Sequence, residues 1–409
     1  MSRPNRSTVR QRRVFYIPGY DPIHPRRYRE LYRSEGAVQA RISNYDISLR
    51  PKPGKAQRYG WFADAQIDGQ ASTAQIDVLV WSDIVRDSMA NTIPATYAQL
   101  AQTTWTYVAS GALRRLMKLR KGPVIAALYP VGMLLAQLLV AILVFWGIYA
   151  VGAAVMPGIG HWIGGGAGLI AAISLLRWFK AKDGKVFAYY LMHDYAYSAA
   201  SKGANPPELE ARMSEFADVI AEALGQEEVD EVLVVGHSSG AHLAVSILAD
   251  LIRSNRVPAT GPELAFLSLG QVVPMVSFLP KADRLRADLR YLSARDELAW
   301  VDVTAPGDGC AFALCDPVAV SGVAPPDKKW PLVFSAAFTQ SLSPARWKEL
   351  RWKFFRLHFQ YLCAFDRPKD YDYFQITAGP LTLRERYADR APSKSRLETP
   401  VSKYTSVAA

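Results

Sequence analysis

The chain reads as an α/β protein: a mostly parallel sheet with helices on both faces, interrupted by a two-helix transmembrane hairpin. Three observations predict this. Short apolar runs of strand character alternate with segments of helical spacing, the pattern of a sheet covered on both sides. One run, EVLVV at Glu231–Val235, leads directly into a Gly/Ser turn and then a helical stretch. Between Lys121 and Arg177, 55 consecutive residues contain no Asp, Glu, Lys or Arg.

Taken in order, Val14–Ile17 is a short apolar strand that ends in Pro18-Gly19, a turn signal. Pro25–Ile42 has helical spacing. Tyr59–Asp68 and Ala74–Trp81 are strand-like and are joined across Gly69 as a hairpin. Thr96–Lys121 reads as one helix leading into the membrane. Beyond the uncharged run, Pro207–Leu224 is helical with acidic residues in its early turns. Glu231–Val235 is a buried strand and Gly240–Arg253 a helix. Leu264–Leu269 and Ala299–Thr304 are further strands flanking a helical Lys281–Leu292. Pro331–Ala337 is the last strand, followed by a helix over Pro344–Tyr361.

A bilayer span takes about 20 mostly apolar residues, and the uncharged run holds two. They cover about residues 129–151 and 159–176, with Met156-Pro157-Gly158 as the break. Arg114, Arg115, Lys118, Arg120 and Lys121 precede the hairpin, and Arg177, Lys180, Lys182 and Lys185 follow it. Positive flanks at both ends place both on the cytoplasmic side. The protein is therefore expected to be a two-span membrane protein with its soluble body and both termini cytoplasmic. Gly160, Gly164 and Gly168 form a small-residue stripe that packs within the hairpin or joins two copies of the chain. The resulting organisation is a basic tail (1–13), a first part of the soluble domain (14–113), the hairpin with its flanks (114–185), a second part (186–390) and a C-terminal tail (391–409).

The 409 residues are 50% hydrophobic and 21% charged, which excludes a disordered chain and a collagen. Cys310, Cys315 and Cys363 are too few for a disulfide framework and read as free thiols. The net charge of +11 raises nucleic acid or an anionic membrane as partner. No nucleic-acid-binding module accompanies it. The charge is also unevenly placed. Residues 1–13, 114–121 and 177–185 together carry a net +13, so the remainder nets −2. The excess lies beside the spans and in the N-terminal tail, which favours membrane lipids as the partner and excludes nucleic acid.

The chemistry concentrates at Gly236-His237-Ser238-Ser239-Gly240, which has the form G-x-S-x-G between a strand and a helix. A serine on so sharp a turn is held in a strained backbone with its hydroxyl projecting above the sheet edge. Gly236, His237 and Gly240 are the elbow around it. The N–H groups at the start of the next helix face developing negative charge. A serine hydroxyl needs a base. Of the six histidines, only His358 lies beyond the elbow helix on the C-terminal side; His237 and His242 are too close to Ser238 in sequence to approach it from the opposite side. Asp308, in a loop between Gly307 and Gly309 just after a strand, is the first candidate for the orienting acid, with Asp316 and Asp302 as alternatives.

The order Ser238, Asp308, His358 resembles that of the α/β-hydrolase superfamily, in its serine esterase and lipase-like members. The resemblance covers the strand-and-helix body and leaves out the hairpin. It implies a serine hydrolase that works through an acyl-enzyme on an ester, with no metal and no organic cofactor. It also implies an oxyanion hole built from the N–H groups of Tyr20 and Ser239. The run Arg346–Tyr361 interleaves aromatic and basic residues, as a helix lying on an anionic bilayer does. This extends the expected substrate to a lipid or acylated amphiphile. The competing reading is an inactive membrane scaffold that keeps the fold without the chemistry.

Overall fold

The computed structural model describes residues 8–52, 58–89 and 92–408. Its strands are β1 (Gln11–Ile17), β2 (Asp46–Pro51), β3 (Gly60–Ile67), β4 (Gln70–Val78), β5 (Glu231–His237), β6 (Glu263–Leu269), β7 (Leu298–Thr304) and β8 (Leu332–Ser335). They form a single sheet in the order β2-β3-β4-β1-β5-β6-β7-β8. From β4 to β8 all neighbours are parallel, while β2 and β3 complete the edge as an antiparallel meander. β1 lies mid-sheet, with Val14 opposite Ile76 of β4 and Leu233 of β5. The expected α/β architecture and the Gly69 hairpin are both present.

The helices of the first two thirds are α1 (Arg26–Ser43), α2 (Ser82–Ser88), α3 (Ile93–Ala109), α4 (Ala112–Leu116), α5 (Lys121–Val155), α6 (Gly160–Ala181), α7 (Asp183–Val186), α8 (Ala188–Ala200), α9 (Pro207–Leu224) and α10 (Gly240–Arg253). The period-2 alternation of strand side chains divides the core between two faces. Val14, Tyr16, Leu233 and Val235 pack with Tyr28 and Tyr32 of α1 and with Phe374. Phe15, Ile17, Val232 and Val234 pack on the other face against α9 and α10. Every residue of β5 is buried, as expected of a central parallel strand.

Four expectations need correction. The strand β2 was not foreseen, because Asp46, Ser48 and Arg50 leave an exposed edge with little apolar period. The single helix expected over 96–121 is broken at Gly111, whose φ of 73° is left-handed. The basic aromatic helix expected over 344–361 is three pieces: Pro344–Leu350, Phe354–His358 and a 3₁₀ turn at Gln360–Leu362. The break turns Leu357, His358 and Tyr361 inward, where all three are buried. The two tails are also shorter than expected. Residues 391–408 are tied along the surface by hydrogen bonds from Ser393 N to Val333 O, Leu397 N to Leu314 O and Arg286 Nε to Ser406 O.

At the N-terminus, β1 starts within the expected 1–13 tail, of which residues 1–7 lie outside the described residues. Arg12 is buried and paired with Glu231 of β5. Its remaining nitrogens donate to the carbonyls of Gly379 at 2.7 Å and Leu381 at 2.6 Å, and Leu383 N donates to Glu231 at 2.6 Å. One ion pair thus joins β1, β5 and the C-terminal segment at the N-terminal edge of the sheet.

α5 and α6 are each long and apolar enough to cross a membrane. Their glycines face each other: a Cβ added to Gly152 would lie 2.7 Å from Gly164 Cα, and one on Gly168 would lie 2.8 Å from Phe145 O. The close approach that the stripe permits is made within the hairpin. The first turns of α5 pack against α3 and α8, where Leu134 is buried with Leu100, Tyr189 and Met192.

Arg12→Leu leaves Glu231 buried beside a lost counter-charge and should destabilise the fold by about 3–5 kcal/mol. Thermal melts of the detergent-solubilised chain should show that loss. Arg12→Leu combined with Glu231→Leu should recover a large part of it.

Candidate active site

The chain leaves β5 and enters α10 through a turn with no spare room. A Cβ on Gly240 would sit 2.1 Å from the carbonyl oxygen of Ile17, and one on Gly236 would sit 2.7 Å from Ala241 Cα. Only glycine fits at either position. The residue between them, Ser238, takes a φ of 55°, a left-handed conformation that costs a non-glycine residue about 1–3 kcal/mol. Its N–H is held by Leu269 O at 2.9 Å. Gly19 closes in from the loop after β1, and a Cβ there would meet Ser238 Cβ at 3.0 Å.

Ser238 and His358 line the same cavity, about 90 Å³ in volume, together with Gly19, Tyr20, Asp194 and Ser239. His358 Nδ1 lies 2.7 Å from Asp308 Oδ2. A carboxylate only accepts, so Nδ1 carries the hydrogen and Nε2 keeps its lone pair. Nε2 is buried and has no hydrogen-bond partner among the described residues, Ser238 Oγ included. Two further donors hold the Asp308 carboxylate. Cys310 N donates to its Oδ1 at 2.8 Å, the Tyr361 hydroxyl donates to Oδ2 at 3.0 Å, and Tyr361 in turn accepts from Ala305 N at 3.0 Å. Burial alone raises the Asp308 carboxyl, but His358 and these donors outweigh it and hold the group below the usual carboxylate range.

The two alternative acids are occupied elsewhere. Asp302 is buried inside β7, accepts from Ser268 Oγ across the sheet and is pushed up to about 8, chiefly by burial. Asp316 caps Val318 and Ala319 and pairs with Lys328 at 2.6 Å. Neither is bonded to His358, so the structure brings Asp308 to the histidine and not the other two. His237 donates from Nε2 to the carbonyl of His358 at 3.0 Å, which supports the backbone under the imidazole. Burial first and His358 second push His237 down to about 3, so it stays neutral. His242 is buried behind it and pushed down to about 4 by burial.

Among the described residues no protein acceptor takes the N–H of Tyr20 or of Ser239. Both residues line the cavity, and Ser239 stands at the N-cap of α10. Asp308, Cys310 and His358 bring three ligand atoms within 4.8 Å of one another. Nδ1 and Oδ2 are committed to their shared hydrogen bond, and burial, followed by Asp308 and Asp194, holds the Cys310 thiol well above its ordinary value. The cluster therefore has the chemistry of a hydrogen-bonded relay and not of a thiolate metal centre.

Three residues of the site escaped the sequence reading. In the sequence Tyr361 is one member of an aromatic run. Tyr190, whose hydroxyl donates to Tyr20 O at 2.5 Å, and Asp194 lie on α8, which was not foreseen. Asp194 carried one signal: it is the only charged residue in the α8 sequence AYYLMHDYAYSAA. Comparison with known protein families, with curated proteins and with solved structures found no match.

Gly240→Ala should force α10 away from β1 and cost about 3 kcal/mol or more. It should lower the melting temperature by several degrees and remove any unusual reactivity of Ser238. Gly184→Ala, where the added methyl meets nothing within 4 Å, is the matched control and should leave the melt unchanged.

Proposed function

We propose that the chain is a membrane-anchored serine hydrolase of the α/β-hydrolase type that cleaves an ester through an acyl-enzyme. The observation that carries this reading is the relay from Asp308 to His358. It fixes the hydrogen on Nδ1 and leaves Nε2 unpartnered in the wall that also holds Ser238. In this reading Nε2 takes the Ser238 proton as Oγ attacks the ester carbonyl, and returns it to the leaving alcohol. Asp308 keeps the imidazole in the required tautomer and stabilises its charged form. The N–H groups of Tyr20 and Ser239 take the negative charge that develops on the carbonyl oxygen. Water then attacks the acyl-enzyme, with His358 again acting as base.

The hairpin supports a membrane-associated substrate, an ester-bearing lipid or acylated amphiphile. Pro123, in the first turn of α5, lines the cavity beside Phe355. Phe355 packs on Phe187, which follows the hairpin, with ring centroids 4.9 Å apart. The cavity wall and the foot of the hairpin are therefore shared. Trp352 and Phe354 are exposed on the same segment, next to Arg351, Lys353 and Arg356, a composition suited to a headgroup layer. The basic flanks of both helices favour a cytoplasmic body with both termini on that side.

A fluorophosphonate probe should label the wild-type chain and fail to label Ser238→Ala. His358→Ala should lower the labelling rate by about 10³-fold or more, and Asp308→Asn by about a hundredfold or more. Asp302→Asn and Asp316→Asn should label at rates within a few fold of wild type. A folded wild type that does not label would leave an inactive scaffold as the better reading.

Turnover of long-chain esters in vesicles, set against soluble short-chain esters, addresses the substrate. Preference for the vesicle-borne ester is expected. A clear preference for the soluble ones would overturn the lipid assignment.

A further inference from the structure

The charge of the cavity is opposite to that of the chain. None of its lining residues is Lys or Arg, although the protein carries a net +11. Two acids face into it. Asp21 is already satisfied: it pairs with Arg27 at 3.1 Å and accepts from the Tyr28 hydroxyl and from Ile23 N. Asp194 is not. It is half-buried and lines the cavity with Ser238 and His358, and no described residue donates a hydrogen bond to it. Burial pushes its carboxyl up to about 7, and His358 offsets this only in part.

The groups around Asp194 are aromatic faces. Tyr107, Tyr190 and Tyr195 lie close enough for its charge to raise each of their hydroxyls, and Phe355 and Phe359 complete the wall, the Phe359 ring already carrying the Arg27 guanidinium 4.7 Å from its centroid. Tyr107 commits its hydroxyl to Met275 O at 3.0 Å and Tyr190 commits its own to Tyr20 O. These two tyrosines therefore offer ring faces and not donors. A carboxylate without an ion-pair partner, lining a cavity walled by aromatic rings, is matched by a cation: the carboxylate supplies charge and the rings supply cation–π attraction. A phosphate at the same place would be repelled.

We propose that Asp194 is a specificity residue that binds a cationic amine or quaternary ammonium group of the substrate, within one small group of the scissile ester carbonyl. The inference rests on the hydrolase reading and narrows its substrate to esters with a positive charge near the reacting centre, whether in a soluble molecule or in a lipid.

The test uses the full chain in detergent micelles and two esters of the same shape, butyrylcholine and 3,3-dimethylbutyl butyrate, its uncharged carbon analogue. Wild type should favour the cationic ester in kcat/KM by about 10- to 100-fold, and tetramethylammonium should slow fluorophosphonate labelling of Ser238. In Asp194→Asn the preference should fall to near unity and the protection should disappear. Circular dichroism of the variant reports whether it has folded. Retained preference and protection in the folded variant would overturn the role of Asp194. A wild type that labels and hydrolyses both esters equally, without protection, would overturn the inference and leave the hydrolase reading standing. A wild type that neither labels nor hydrolyses either ester would overturn both. Vesicles carrying an aminoacyl-ester lipid, compared with the soluble ester, separate the two sources: faster turnover in vesicles assigns the cation to a lipid, and faster turnover of the soluble ester assigns it to a free molecule.

Discussion

The site depends on a backbone contact. The first turn of α10 meets the end of β1 so closely that no side-chain atom fits at Gly240, where an added Cβ would stand 2.1 Å from Ile17 O. That contact is possible because β1 and β5 are adjacent and parallel, in register from Arg12↔Glu231 to Ile17↔Gly236. With both strands ending at the same level, the chain has two residues in which to reverse into a helix. The left-handed φ at Ser238 is the geometric consequence. Its strain is offset by the packing that surrounds it: β5 is wholly buried, and α10 is buried at nearly every position. The Arg12–Glu231 pair at the opposite end of the same two strands holds the register. A slip by one residue would turn every inward side chain outward and separate Ser238 from the cavity.

The topology also explains why the two long apolar helices and the cavity meet. β4 and β5 both run parallel to β1, so their C-terminal ends share one edge of the sheet with the Ser238 turn. The chain leaves that edge after Val78 and must return to the opposite edge to begin β5 at Glu231. Everything inserted in the crossover, including α5 and α6, is therefore launched from the edge that carries the loops. Open parallel sheets place their ligand sites outside that edge. A hairpin inserted there stands over the site, and Pro123 in the cavity wall is the result.

Much of this was legible in the sequence, and what was missed has a common cause. The strands β5, β6 and β7 declared themselves because burial on both faces demands continuous apolar runs. The elbow declared itself because its glycines are sterically compulsory. The order of Ser238, Asp308 and His358 can be read along the chain, but the choice among Asp302, Asp308 and Asp316 cannot: all three lie within one short stretch, and only the direction in which each carboxyl is held separates them. The helix expected over 344–361 failed for the same kind of reason. Its spacing is helical, yet burial of Leu357, His358 and Tyr361 against the end of the sheet overrides the local preference. Tyr361 is the clearest loss, since nothing in an aromatic run marks the one hydroxyl that will donate to Asp308.

The net charge of +11 takes on a different meaning once its parts are located. Two of the five arginines of the N-terminal segment are not free to meet a membrane: Arg12 is buried against Glu231, and Arg13 pairs with Asp77 at 3.1 Å. The flanks of α5 and α6 are a different case, since their charges lie next to the two apolar helices, where they bear on orientation. The cavity reaches the first turn of α5 through Pro123, and its lining holds acids but no Lys or Arg.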